Sequence, residues 1–311
     1  YRSKARLGVK FVDKKGRVLV GFREKKKPYI AEIDDCHVLR EPVSKLLAPL
    51  SRLIEKLSIV RSVPQIEVAI GDAETALVFR HMEALSREDE RLITQFGKNE
   101  GVQIYLQPGN PESTHKFYPE DDLERLSYSL PDQGLDFSFH PLDFTQANPA
   151  INRKMVNLAL SLLELTETDC VLDAFCGIGN FSLAIARSAK SVLGLENSKT
   201  SIDRARENAK ANEISNSQFE TVDLFTEQND LPGVSEVNKV LVDPPRTGAL
   251  ELCEKLANSD VERVVYVSCN PKTLARDAQI LVKSGFQLRQ LGIIDMFPHT
   301  THVESIALFT R

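Results

Sequence analysis

From Asn148 onward the chain repeats one rhythm. PAINRKMVNLALSLLEL has helical spacing, CVLDAF is a strand, NFSLAIARSA a helix, SVLGLE a strand and SIDRARENAKAN a helix, followed by the strands KVLVDPP and RVVYVSC. Parallel strands need a long crossover connection, which a helix of this length supplies, so the alternation predicts a parallel, doubly wound α/β sheet. Such sheets bind ligands beyond the carboxyl ends of their strands, which directs attention to the residues just after each strand.

The first part of the chain lacks this rhythm. ARLGVKFVD and RVLVGFRE alternate as strands about Lys14-Lys15-Gly16, and IEVAI and TALVFRH flank a turn at Gly71-Asp72. Positions 43–57 have helical spacing despite Pro49, and Ser86 with Asp89 and Glu90 opens a second helix. VQIYL, LSYSL and LDFSFHP add strands, the last two across Pro131-Asp132-Gln133-Gly134. A smaller α+β domain over residues 1–140 and a sheet domain over 141–311 are therefore expected, as suits a length of 311 residues.

Charge is unevenly placed. Residues 1–27 hold eleven Lys or Arg against Asp13 and Glu24, a local +9 within a chain whose net charge is −5. Clustered cations gain affinity for polyanions by releasing counterions, so this end is either a polyanion contact or a solvated hairpin face. No apolar run approaches the ~18 residues of a membrane span. Five cysteines, odd in number and without a CxxC pair, point to reduced thiols and a cytoplasmic location. The chain begins at Tyr1 and not Met, as a processed product or a piece of a longer protein would.

Four segments carry residues suited to chemistry. In VLDAFCGIGNF (171–181), Gly177 and Gly179 lie between a strand and a helix, where missing side chains let a ligand approach the helix N-terminus. The third glycine of a dinucleotide fingerprint would fall at Ser182, which disfavours a nicotinamide site. Glu196 ends the next strand, placed either to accept both hydroxyls of an adenosine ribose or simply to open a helix. LVDPPRTG (241–248) puts Asp243 at a strand end beside two stiffening prolines and Arg246, unless the prolines merely terminate the strand. In VVYVSCNP (264–271), Cys269 sits where a thiolate would meet a substrate, whereas Cys170, Cys176 and Cys253 read as packing residues. DMFPHTTHVES (295–305) groups Asp295, His299, His302 and Glu304; two histidines three apart make a poor metal site without further ligands, and a Glu near a nucleophilic Cys suits proton removal.

FTQAN (144–148), DAFCGIGNF (173–181), DPPRTG (243–248) and SCNP with HVES together resemble the bacterial RNA (uracil-5-)-methyltransferases, over essentially the whole chain. DMFPHTTHVESIALFTR and CNPKTLARD are most similar to the branch that acts on 23S ribosomal RNA. The resemblance implies a class I S-adenosylmethionine-dependent methyltransferase fold with a smaller RNA-binding domain before it. By matching motif, Gln146, Phe175, Gly177, Asn180, Glu196, Asp223 and Asp243 would line the cofactor, Cys269 would be the nucleophile and Glu304 the general base. A monomer with 23S ribosomal RNA as partner, and no membrane, is what this family implies. Two other readings are an RNA-binding module without catalysis, against which Cys269 and Glu304 argue, and an amino-group methyltransferase, against which Arg246 in place of an aromatic argues. A transfer RNA substrate is the alternative within the family.

Full-length ribosomal members also carry a TRAM domain and four cysteines holding a 4Fe–4S cluster. Cys36 in DDCHVL matches only the last of those ligands, and the other three would lie upstream of Tyr1. Metal analysis of the purified chain is accordingly expected to find no stoichiometric iron; about four irons per chain would overturn the match of Cys36.

Overall fold

Gly16 in the left-handed region (φ +63°) lets β1 (Lys4–Val12) turn directly into β2 (Arg17–Gly21), the antiparallel hairpin expected from the sequence. A computed structural model describes residues 1–24, 27–121, 124–226 and 232–311. Lys25 and Lys26 of the basic run thus lie outside the described residues. The chain forms two units, one of residues Tyr1–Tyr128 and Ser138–Ala147, the other of Ser129–Phe137 and Asn148–Arg311.

In the first unit β1 and β2 join β3 (Gln65–Ile70), β4 (Thr75–Arg80), β5 (Gln103–Gln107) and β6 (His115–Tyr118) in the order β2-β1-β3-β4-β5-β6. The apolar face of α1 (Leu47–Lys56), with Leu50 and Ile54 fully buried, shares a core with Leu7, Ile66, Leu77 and Ile104 of the sheet. The helix expected over 43–57 starts at Leu47, which puts Pro49 in the first turn, where a missing N–H leaves no bond unmade. Ser86 and Asp89 form a reciprocal capping box at the head of α2 (Arg87–Glu100), and the crossover through α2 makes β4 and β5 parallel. Part of the basic run is charge-paired: Lys15 and Arg17 both meet Glu32, and Arg6 lies 3.2 Å from Glu67.

The boundary expected near residue 140 falls instead between Ala147 and Asn148, and residues 129–137 go with the second unit. Hydrogen bonds explain the exchange: Arg153 donates to Ser129 O (3.0 Å), Arg187 to Gly134 O (2.9 Å), and the Asn212 amide pairs with both backbone groups of Asp136 (2.8 and 2.6 Å).

The second unit's sheet contains β9 (Cys170–Ala174), β10 (Ser191–Glu196), β11 (Ser217–Thr221), β12 (Lys239–Val242), β13 (Arg263–Ser268), β14 (Gln287–Ile294) and β15 (Glu304–Thr310). Here β7 (Leu126–Leu130) and β8 (Leu135–Phe139) pair separately, and the seven strands run in the order β11-β10-β9-β12-β13-β15-β14. The helices are α3 (Pro149–Leu163), α4 (Ser182–Ala186), α5 (Lys199–Ala211), α6 (Leu250–Ala257) and α7 (Pro271–Lys283). Strands β9 to β13 are mutually parallel, as expected, but β15 is antiparallel to both β13 and β14. The wholly parallel expectation fails there because residues 295–303 return the chain as a loop without a crossover helix. Among the described residues no helix is long and apolar enough to cross a membrane.

The amino edge of this sheet is tied by one buried ion pair. Lys239 Nζ donates to Asp169 Oδ2 (2.8 Å) and Glu164 O (2.6 Å), while Thr166 N and Asn238 Nδ2 donate to the same carboxylate (2.6 and 2.7 Å). Burial alone would raise the Asp169 pKa, but Lys239, Asn238 and Thr166 outweigh it and hold the group at about 2. A depressed carboxyl contributes stability that is complete above its unfolded pKa and is lost as pH falls toward 2. Lys239→Met should strand this charge, lowering unfolding free energy by about 3–5 kcal/mol in urea titrations and moving the onset of acid unfolding to higher pH.

Candidate active site

Because β15 runs against its neighbours, its first residue lies at the same sheet edge as the last residues of the parallel strands. Ser268 pairs with Ser305, so Cys269, one step beyond β13, and Glu304, one step before Ser305, arrive side by side. Cys269 is half-buried and Glu304 is 6% exposed. Local chemistry fixes the cysteine: Ser268 Oγ accepts from Asn270 N and donates to Asn270 O (both 3.1 Å), and Asn270 caps α7 with Pro271 at its first position.

A second set of residues lies where β9, β10 and β11 end. The turn after β9 places Phe175, Gly177 and Gly179 at positive φ (66°, 54° and 91°). A Cβ on Gly179 would touch Leu183 at 3.4 Å, whereas one on Gly177 would meet nothing within 4 Å; the first glycine serves packing, and the second leaves an open backbone. Gly177 N and Ser198 N donate to the two oxygens of Glu196 (3.3 and 3.0 Å), which fixes that carboxylate at the mouth of the turn. Asp223 is exposed, and its carboxylate accepts from Phe225 N (3.0 Å); the Phe225 ring lies 5.5 Å from that of Phe175, tilted by 49°. Asn180 exchanges two side-chain hydrogen bonds with Asn152 (2.9 and 3.0 Å). Gln146 and Cys36 belong to the first unit. There Gln146 O lies 3.5 Å from Ser3 Oγ, and Cys36 packs in the core, with its N donating to Ser44 O (3.0 Å).

The edge is crowded with acids. Burial pushes Asp173 up to about 7, opposed by hydrogen bonds from Ser182 and helped by Glu196. Its Oδ2 accepts the Ser182 hydroxyl, while its Oδ1, deep in the protein, has no hydrogen-bond partner. Loss of solvent and the charges of Glu304 and Asp173 push Asp243 up to about 8. Burial also pushes Glu304 to about 7, with Arg246 opposing. The Cys269 thiol is raised by burial, Glu304 and Asp243, and drawn down by Arg246. So much unbalanced carboxyl suits a cationic ligand, which would favour the ionised forms.

Asp173 and Phe225 were not singled out from the sequence. An acid inside the apolar strand VLDAF is a legible anomaly; Phe225 left no signal beyond its place after Asp223. His302 lies against Arg246 Nη2 (3.0 Å), and among the described residues no three His, Cys, Asp or Glu side chains gather to hold a metal. One thiolate, Cys36, does not fit a 4Fe–4S cluster, which takes four.

The family model described as tRNA (Uracil-5-)-methyltransferase matches residues 114–311. A protein of Alcanivorax borkumensis named 23S rRNA (uracil(1939)-C(5))-methyltransferase RlmD is 46% identical over 312 residues, covering 100% of this chain and 70% of the relative. Its namesake in Legionella pneumophila (strain Corby) is 48% identical over 315 residues, with coverage of 100% and 71%. The crystal structure of Pyrococcus abyssi tRNA (uracil-54, C5)-methyltransferase with S-adenosyl-L-homocysteine aligns with a TM-score of 0.74 and 26% identity, over 99% of this chain and 76% of that one. With Cys269 and Glu304 met at one sheet edge and this likeness along its length, the chain belongs to the uracil-5-methyltransferase family.

Proposed function

We propose that this chain methylates C5 of a uracil in 23S ribosomal RNA with S-adenosylmethionine as donor, acting as a cytoplasmic monomer. The adjacency of Cys269 and Glu304 carries the reading, since uracil C5 is too weak a nucleophile to be methylated without help. The 23S target follows the relatives 46% and 48% identical to the chain, which are named for it, over the more distant transfer RNA enzyme at 26%.

The residues fit the donor: an open Gly177 backbone, a fixed Glu196 for the ribose hydroxyls, the Phe175 and Phe225 rings for the adenine, with Asp223 and Asn180 beside them, and an unpartnered Asp173 oxygen near Asp243 for positive charge. When bound, S-adenosylmethionine supplies an electrophilic methyl group on a sulfonium. Cys269 Sγ, as the thiolate, adds to C6 of the uracil, and the electron pair released from the C5–C6 double bond makes C5 an enolate carbon that would take the methyl as its bond to the donor sulfur breaks, leaving the neutral thioether. Glu304, held near neutrality by its burial, then removes the C5 proton. The C5–H electron pair restores the double bond, and the Sγ–C6 bond breaks with the thiolate leaving. Both faces of the base must be open, so the uridine is single-stranded or flipped from its stack.

Cys269→Ala should abolish both turnover and the covalent adduct, whereas Glu304→Gln should add and methylate but fail to eliminate. Denaturing gels with labelled 23S fragments and transfer RNA transcripts should therefore show a shifted band for Glu304→Gln alone, and only with the 23S RNA. Turnover by Cys269→Ala, or wild-type turnover without an adduct by Glu304→Gln, would overturn the mechanism; a shift with transfer RNA would overturn the target.

The raised carboxyls predict a pH signature. Asp173 and Asp243 hold protons near neutrality, and a cation favours their ionised forms, so binding releases protons and tightens as pH rises through 7 to 8. S-adenosylhomocysteine lacks the sulfonium charge, so the affinity ratio of donor to product should climb between about pH 6 and 8.5 and flatten in Asp243→Asn. A ratio independent of pH in the wild type would contradict the cation-binding role.

A further inference from the structure

The segment between β12 and α6 has surrendered two backbone donors to Pro244 and Pro245, yet its tip is firmly held. Four of the holding groups come from the first two turns of α7 and its cap. Asn270 Nδ2 and Thr273 Oγ1 donate to Arg246 O (2.9 and 3.4 Å), Arg276 Nη2 donates to Thr247 O (2.9 Å), and Asp277 Oδ2 accepts from Ala249 N (2.7 Å). Spacings of three and four put these side chains on one helical face.

Asp277 is the centre of this arrangement. It is 0% exposed, and besides Ala249 N it accepts from Tyr266 OH at Oδ2 and from Arg276 Nε at Oδ1, each at 2.7 Å. Gly248 (φ +80°) presses against the pair so closely that a Cβ would lie 2.5 Å from Asp277 Oδ2 and 2.6 Å from Arg276 Nη2. Ending a strand and starting a helix does not require a buried carboxylate; an apolar side chain would fill the space at lower desolvation cost. What the polar contacts add is a fixed distance between the loop carrying Arg246 and the helix that begins just after Cys269.

We propose that Asp277 and Arg276 are positioning residues for methyl transfer, clamping the Asp243–Ala249 loop to α7 so that the Arg246 guanidinium stays beside Cys269 and Glu304. This rests on the uracil-methyltransferase reading above. Cys269 is faced by Glu304 from β15 and by Asp243 and Arg246 from the loop, and Arg246 is itself met by His302. In that company Arg246 is the group that draws down both the thiol and the Glu304 carboxyl, so a loosened loop leaves the acids unopposed.

The test follows alkylation of the Cys269 peptide by iodoacetamide against pH, with single-turnover methylation of 23S RNA and titration with S-adenosylhomocysteine alongside. Asp277→Asn should displace the alkylation profile upward by about one pH unit and slow single-turnover methylation about tenfold, with product affinity within about twofold of wild type. Arg276→Gln, at a side chain 43% exposed, should move the profile the same way by less. Asp169→Asn, which breaks the ion pair at the opposite sheet edge, should lower the melting temperature and leave the profile in place. An unmoved profile in folded Asp277→Asn, or an equal displacement in Asp169→Asn, would overturn the proposal; if Asp277→Asn does not fold, Arg276→Gln decides by the same two results. Alkylation needs neither RNA nor donor, so a wild type that methylates no uridine would sink the functional reading while the thiol profile still judges the clamp.

Discussion

Six of the seven strands in the second unit's sheet point one way and β15 points the other, and the chemistry depends on that reversal. In a wholly parallel sheet every residue at the ligand edge follows a strand, so the edge draws only on strand-to-helix turns. Inserting one antiparallel strand between β13 and β14 delivers the first residue of a strand, Glu304, to the same edge. The ladder hydrogen bonds then set its register against Cys269. A carboxylate placed by a β-ladder is held more rigidly than one on a loop, because shifting it by one residue would turn every side chain of β15 to the other face.

Rigidity has an electrostatic consequence. Asp173, Asp243 and Glu304 share one partly dehydrated edge, where the charges of Asp173 and Glu304 raise the cost of ionising Asp243 and that of Glu196 raises the cost of ionising Asp173. The free protein is therefore frustrated at this edge, with an unpartnered oxygen on Asp173 and a thiol held above its ordinary range. That is the arrangement expected where a cation completes the site, and it contrasts with the amino edge, where Asp169 is fully satisfied by Lys239, Asn238 and Thr166. Equivalent acids at the two ends of one sheet thus have opposite fates, one held at about 2 and the others at about 7 to 8, according to whether the chain supplies their partners.

How far the sequence is legible follows from which interactions are local. Strands β9, β10, β12 and β13 stand out because buried parallel strands are apolar runs, and the ends of the last three mark Glu196, Asp243 and Cys269 without any tertiary knowledge, whereas β11 (SQFET), largely polar and exposed, gives no such signal. Ser86 and Gly16 announce themselves through capping and turn chemistry. The reversal of β15 does not, since strand direction depends on what crosses the loop over residues 295–303 and not on the strand's composition. Nor does the allegiance of residues 129–137, decided by Arg153, Arg187 and Asn212 far along the chain. Asn148 illustrates a different limit: it closes the FTQAN motif, yet its side chain caps α3 by accepting from Ile151 N (3.3 Å) and donates to Met296 O (3.4 Å). A motif residue can be required by the fold that presents the site and not by the chemistry.

The same distinction separates two kinds of polar residue in α7. Asn270, Thr273, Arg276 and Asp277 have the polar composition of a solvated helix start, as do Lys272 and Lys283. Periodicity alone cannot tell a polar face turned to water from one turned to a neighbouring loop, because both spare the apolar positions Leu274 and Leu281 that pack in the core. The difference lies in the partner: a loop that has lost N–H groups to two prolines has fewer backbone donors for its own carbonyls, and side chains of the adjacent helix supply them. Stiffening the loop with proline and supplying donors from the adjacent helix are complementary parts of one solution, and that solution places the guanidinium of Arg246 among acids that would otherwise repel one another.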